Sequence, residues 1–169
     1  WPAENYQAVV TYLRNRIQFV QIGSSGPEHV HPNLAGTINL VGQTTVRQLI
    51  QLVHSSCGVL TGISAAMHLA AAVPLPVWQR RPRPCVVLAG GREPRSWYGY
   101  NGHRILETVG SLSCCSDGGC WQSHTVSLGG KDERLCERVV NGSPKCMQMI
   151  RPEEVILNIE RILEAEGGE

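Results

Sequence analysis

The run Cys85-Val86-Val87-Leu88-Ala89, closed by Gly90-Gly91, constrains this chain more than any other stretch. Five successive apolar residues leave no polar face for solvent, as expected of a strand in a parallel sheet covered on both sides. The segments before it supply covering helices and further strands. Tyr6, Val9, Val10 and Leu13 recur at helical spacing, so residues 4–15 are predicted to form an amphipathic helix. Ile17, Phe19, Val20 and Ile22 read as a strand that ends in the Gly23–Pro27 loop, and Ile38–Val41 as a second short strand. Thr44 or Thr45 can cap a helix whose buried face is Val46, Leu49, Ile50 and Val53. Gly58–Thr61 is then a strand, and Ser64 can cap Ala65–Ala72, a helix apolar nearly all round and therefore expected to be buried. Pro74 and Pro76 end it. Strands alternating with helices of about ten residues define βαβ units and a parallel sheet.

From about residue 92 to residue 150 the periodicity is lost, in a stretch holding five of the seven cysteines. An irregular segment this long needs something to tie it down inside a compact domain. Order returns at Pro152, a favoured first helical residue, and Val155, Ile156, Ile159, Ile162 and Leu163 form the stripe of a closing helix over 152–166. The 169 residues therefore read as one α/β domain, a Rossmann-like parallel sheet flanked by helices, with a cysteine-rich irregular insert at 92–150. The balance of 15 basic against 14 acidic residues gives no electrostatic reason to expect nucleic acid as a partner. The longest apolar run, near Ala65–Pro76, is too short to cross a membrane and contains His68. Trp1-Pro2 opens the chain without Met and just ahead of a helix, which suggests a start inside a larger protein.

In an open parallel sheet, ligands sit beyond the carboxyl ends of the strands, near helix N-termini that offer free N–H groups. The Gly23–Pro27 loop, Gly62-Ile63-Ser64 and Gly90-Gly91-Arg92-Glu93 fall there. Glycine permits close backbone approach to an anionic ligand, and Arg92 can add a charge-assisted contact. Neither G-x-G-x-x-G nor a Walker sequence occurs, which weighs against NAD-type and P-loop readings. His68 shares a helix face with Ser64, where an imidazole could donate to a phosphate or sugar oxygen, although a histidine on an apolar helix is more often a satisfied core residue. Glu28 is a candidate acceptor for a ribose hydroxyl. Arg80-Arg81-Pro82-Arg83, with Arg92, Arg95 and Arg104 and the aromatics Trp97, Tyr98 and Tyr100, makes a basic middle, best read as a solvated loop or the rim of an anion site.

Cys114-Cys115, Cys120, Cys136 and Cys146 form the strongest chemical pattern, with four, fifteen and nine residues in the successive gaps after the first pair. Four of the five could bind a structural zinc and order the insert. Disulfides, an iron–sulfur cluster and free buried thiols are the competing readings, since no tight C-x2-C pair occurs. Cys57 and Cys85 sit in predicted core strands and read as small hydrophobes.

Three segments resemble the carboxyl-terminal half of family 9 glycosyltransferases, the ADP-heptose:lipopolysaccharide heptosyltransferase type. They are Trp1-Pro2-Ala3-Glu4-Asn5-Tyr6, Leu40–Leu49 (LVGQTTVRQL) and Ser64–Ala72 (SAAMHLAAA). The resemblance covers residues 1–91 and thins beyond 92 to the closing helix, leaving the cysteine-rich insert as a feature of a subgroup. It implies the donor half of a metal-independent, inverting GT-B enzyme, cytoplasmic, whose partners are a nucleotide-sugar donor, an amino-terminal acceptor domain and a glycan or lipid acceptor. By position Ser64 and Ala65 would lie at the donor diphosphate, His68 would face it, and Gly90 and Gly91 would border the sugar. The general base would belong to the amino-terminal domain, so no catalytic residue is expected in this chain. Ile63 stands where the family has an acidic residue and Ala65 where it has glycine. Those departures imply either a different donor or a decayed site. The alternative is a non-enzymatic Rossmann-like module whose insert binds a structural metal or a protein partner, or senses redox state.

Overall fold

The computed structural model describes residues 1–26, 31–77, 82–125 and 134–167. Its elements run α1 (Ala3–Leu13), β1 (Phe19–Gln21), β2 (Thr37–Asn39), α2 (Val46–Ser55), β3 (Val59–Gly62), α3 (Ala65–Ala72), β4 (Cys85–Gly90), β5 (His103–Glu107), β6 (Val139–Val140), β7 (Ser143–Pro144), α4 (Lys145–Gln148) and α5 (Pro152–Gly167). All strand pairs of the α/β part are parallel: β1 with β2 in one sheet, and β3-β4-β5 in another with β4 in the middle. A small antiparallel hairpin, β6-β7, belongs to the insert. The parallel strands flanked by helices are the Rossmann-like architecture expected from the sequence, divided between two sheets.

All six residues of β4 are buried, and the strand's two-residue alternation divides them between two cores. Val86 and Leu88 join Val9 and Leu13 of α1 with Val155 and Ile159 of α5. Cys85, Val87 and Ala89 face Met67 and Ala70 of α3. Both faces are therefore dry, which explains why the run carries no polar residue. Burial pushes the Cys85 thiol up to about 12, so it packs as a hydrophobe, as expected. The Trp1 indole donates to the Ile150 carbonyl at 2.8 Å and stacks edge-on against Tyr6, fastening the start of α1 to the approach of α5.

Several expectations need correction. The region 92–150 is not irregular throughout. It contains β5, whose register against β4 runs Cys85–His103 through Leu88–Leu106, as well as the β6-β7 hairpin and α4. Ile105 and Leu106 are the only apolar residues in β5, too few to show a period. The helix α2 begins at a full capping box, Thr45 with Gln48, but its apolar stripe is not a buried face: only Val53 is buried, while Val46 is 72% exposed. Likewise α3 is buried along Met67 and Ala70 alone, and Ala65, His68, Ala71 and Ala72 are exposed. Alanine is small enough to sit at the surface with little apolar area lost to water. Cys57 is exposed in the turn before β3 rather than in a core strand.

Arg83 departs furthest from expectation. It is 2% exposed, and its guanidinium donates to the carbonyls of Ala70 and Val73 at the end of α3, His54 at the end of α2, and Pro74. A helix C-terminus presents unpaired carbonyls and partial negative charge, so one planar cation with several donors satisfies two helix ends together. Burial lowers its basicity from a very high starting value. Arg80 and Arg81 lie outside the described residues. Replacing Arg83 by Met should strand those carbonyls and lower unfolding stability by about 3 kcal/mol, since each buried group left unpaired costs roughly 1–3 kcal/mol. Urea denaturation followed by circular dichroism checks this. A loss well under about 1 kcal/mol would mean that water replaces the guanidinium.

Candidate functional site

Strands β3 and β4 run side by side, Gly62 at the end of β3 pairing with Leu88, and β4 continues to Gly90. Beyond their carboxyl ends lies a cavity of about 220 Å3. Gly62 and Ile63 form one wall, Leu88, Ala89, Gly91 and Arg92 a second, and Gln122–Thr125 with Cys120, Cys136, Pro144, Cys146 and Met147 close the third. This is where a parallel α/β sheet places a ligand. Gly91 and Arg92, two of the residues singled out in the sequence, line the cavity. Arg92 is exposed, with Glu93 at 4.0 Å as a loose ion-pair partner, so its cation is free to meet an anion at the mouth.

Gly90 and Gly91 have a local role that the sequence did not disclose. Gly90 has φ +64°, a left-handed conformation that bends the chain out of the strand, and the β4-β5 register shifts there. A Cβ at Gly90 would stand 2.6 Å from the Met147 sulfur, and one at Gly91 3.0 Å from the Cys115 sulfur. Both glycines are therefore needed to let the cysteine segment close on the strand end, whether or not a ligand also approaches.

Ser64, Ala65 and His68 do not line this cavity. They are exposed on α3, with Ser64 the N-cap residue directly after Ile63. The Ser64 hydroxyl is within 2.8 Å of the Thr61 hydroxyl and does not cap the helix. His68 Nδ1 lies 2.8 Å from the Tyr100 hydroxyl, and the two rings meet edge-on, so the imidazole points toward the β5 side of the sheet rather than into the crevice. Tyr100 in turn packs edge-on against His103, which is buried with neither ring nitrogen hydrogen-bonded. Tyr98 is also buried; burial first, then Glu107 and Glu93, push its phenol up to about 12. Trp97 is exposed and stacks edge-on with Trp121, the residue after Cys120. Glu28 falls outside the described residues, and the Gly23–Pro27 loop, described as far as Gly26, lines neither cavity.

Gln122, Ser123, His124 and Thr125 were not identified from the sequence. They sit in an aperiodic stretch, and only the flanking cysteines hinted at their position. The segment is held by backbone hydrogen bonds from Cys120 to the Gly91 carbonyl (3.0 Å) and from Trp121 to the Arg92 carbonyl (2.8 Å). Beside it, Cys114, Cys115, Cys120, Cys136 and Cys146 all border a second, far smaller cavity. None of the five is in a disulfide. Burial, and to a lesser degree Cys115 and Cys120, push the Cys114 thiol up. Burial does the same to Cys146, offset by backbone hydrogen bonds from Gly91 and Met147.

With this geometry in place, the comparison with known families is specific. The model of glycosyltransferase family 9 (heptosyltransferase) matches residues 1–78. The matched part of the chain runs from α1 to the end of α3. The match stops short of residue 91, so β4, its glycine exit and the cysteine segment lie beyond it. No curated protein and no solved structure matches the chain. No described helix is long and apolar enough to cross a membrane.

Burial, and secondarily the neighbouring His68, lower the His103 pKa below its usual 6.5. The unfolded chain then binds a proton more readily than the folded one, so stability should fall as pH drops below about 6.5. Denaturation midpoints at about pH 7.5 and about pH 5.5 should differ less for His103→Asn than for the native chain. An unchanged difference would show that His103 protonates freely when folded.

Proposed function

We propose that this chain is the nucleotide-sugar-binding half of an inverting GT-B glycosyltransferase of the heptosyltransferase type. The family match over residues 1–78 carries the reading. The cavity past β3 and β4 supports it, since glycine turns at Gly62 and Gly91 and the cation of Arg92 border it, groups suited to an anionic diphosphate. The reaction is a direct displacement at the anomeric carbon. The acceptor oxygen forms its bond as the bond to the diphosphate breaks, and the base that takes the acceptor proton is supplied by an acceptor domain. This chain's part is to hold the donor and stabilise charge on the leaving diphosphate, through Arg92 and the amides around Gly62 and Gly91.

Ile63 lines the cavity where the family places an acidic residue. An alkyl side chain accepts no hydrogen bond from a sugar hydroxyl, so this donor is held without that contact, and preference among donors depends on the other walls. His68 is removed from the donor contacts, because its Nδ1 already faces Tyr100.

Calorimetric titration of the full-length protein with ADP, GDP and UDP tests the reading. One of the three should bind, and Arg92→Ala should weaken it by roughly 10- to 100-fold, the worth of one charge-assisted contact. No heat with any of them would remove the proposal. Undiminished binding by the Arg92 variant would place the diphosphate elsewhere.

A further inference from the structure

The five cysteines of the insert are spread over 33 positions, from Cys114 to Cys146, yet they meet around one cavity of about 10 Å3. Such a volume admits a single atom-sized occupant. Separate stretches of chain deliver the thiols. Cys114 and Cys115 come from a 3-10 turn, Ser113–Cys115, and Cys120 from the loop pinned to Gly91. Cys136 is fixed by its amide, which donates to the His124 carbonyl at 2.7 Å, and Cys146 comes from α4. Hydrophobic packing does not account for this convergence, because of the five only Cys115 is fully buried.

We infer that Cys114, Cys120, Cys136 and Cys146 form a four-thiolate site for a single thiophilic metal ion, zinc or iron, that fastens the insert to the end of β4. A closed set of four sulfurs selects those metals over calcium or magnesium, which take oxygen ligands.

Cys115 is set apart by its hydrogen bonds. Its sulfur lies 3.6 Å from the Thr108 carbonyl and 3.4 Å from the Leu112 carbonyl, positions that only a protonated thiol can use. A metal ligand must be a thiolate, which has no proton to donate. Four thiols remain, the number a tetrahedral site requires. Charge is also matched: four thiolates around a divalent ion leave two negative charges in excess, and Arg138 and Lys145 are on the same cavity wall.

Among the described residues no three His, Cys, Asp or Glu side chains stand close enough together to hold a metal ion as they are. Binding therefore draws the sulfurs inward to about 2.3 Å from the ion and releases the thiol protons to solvent. The same ion would brace Gln122–Thr125, the outer wall of the larger cavity. The inference rests on the thiol geometry and stands apart from the glycosyltransferase reading.

The test is elemental analysis of the full-length protein purified without chelator or metal-affinity resin, alongside a thiol count. The expected result is about one zinc or iron per chain, with Cys115→Ala retaining it and Cys120→Ser and Cys136→Ser losing most of it. Iron would declare itself by visible sulfur-to-iron absorption, and zinc would be colourless. Where the serine variants fail to fold, cobalt added to chelator-stripped protein supplies the answer. Tetrahedral cobalt–thiolate bands saturating at one equivalent, and unaffected by Cys115→Ala, support the site. Metal-free protein with all five thiols reactive, a disulfide among them, or loss of metal on replacing Cys115 would each overturn it.

Discussion

The structure depends on the two-sided burial of β4. Val86 and Leu88 lock the strand to α1 and α5, while Cys85, Val87 and Ala89 lock it to α3. Removing a side chain the size of Leu88 from such a position costs about 2–5 kcal/mol, a large share of the stability of any domain this size. That packing also fixes where the strand ends. The chain turns at Gly90, the last paired residue of the strand, and the exit is bordered by Ile63, Arg92 and the thiols near Gly91.

The elements readable in the sequence are those whose residues answer to one local rule. The β4 run had to be buried because it offers no polar face. The start of α2 followed from a threonine cap at Thr44 or Thr45, and α5 from Pro152 with a complete apolar stripe. The features that escaped depend on partners distant in sequence. Arg83 looks like a member of a solvated basic cluster until two helix ends are brought to it. His68 looks like a ligand contact until β5 delivers Tyr100 to the same face. β5 itself carries its strand character through pairing with β4, since His103, Arg104 and Glu107 mask the two apolar residues between them. The stripe on α2 misled for the opposite reason: its periodicity is genuine, but periodicity says only that one face is apolar, not that anything covers it.

The cavity joins two parts of the chain with different relationships. Gly62 and Ile63 lie in the segment matched by the glycosyltransferase family 9 model, whereas Arg92, Gln122–Thr125 and the cysteines lie beyond it. The matched part supplies Gly62 and Ile63 at the end of β3, and the remainder supplies the outer wall.

The account stands or falls on whether a ligand enters between β3 and β4. Hydrogen–deuterium exchange of the full-length protein, with and without the nucleoside diphosphate that binds it, reads this out directly. Protection should concentrate in peptides spanning residues 60–66 and 88–93, with α2 and the outer face of α3 around His68 unchanged. Protection confined to the His68, Tyr100 and His103 side of the sheet, with none at the strand exits, would contradict it.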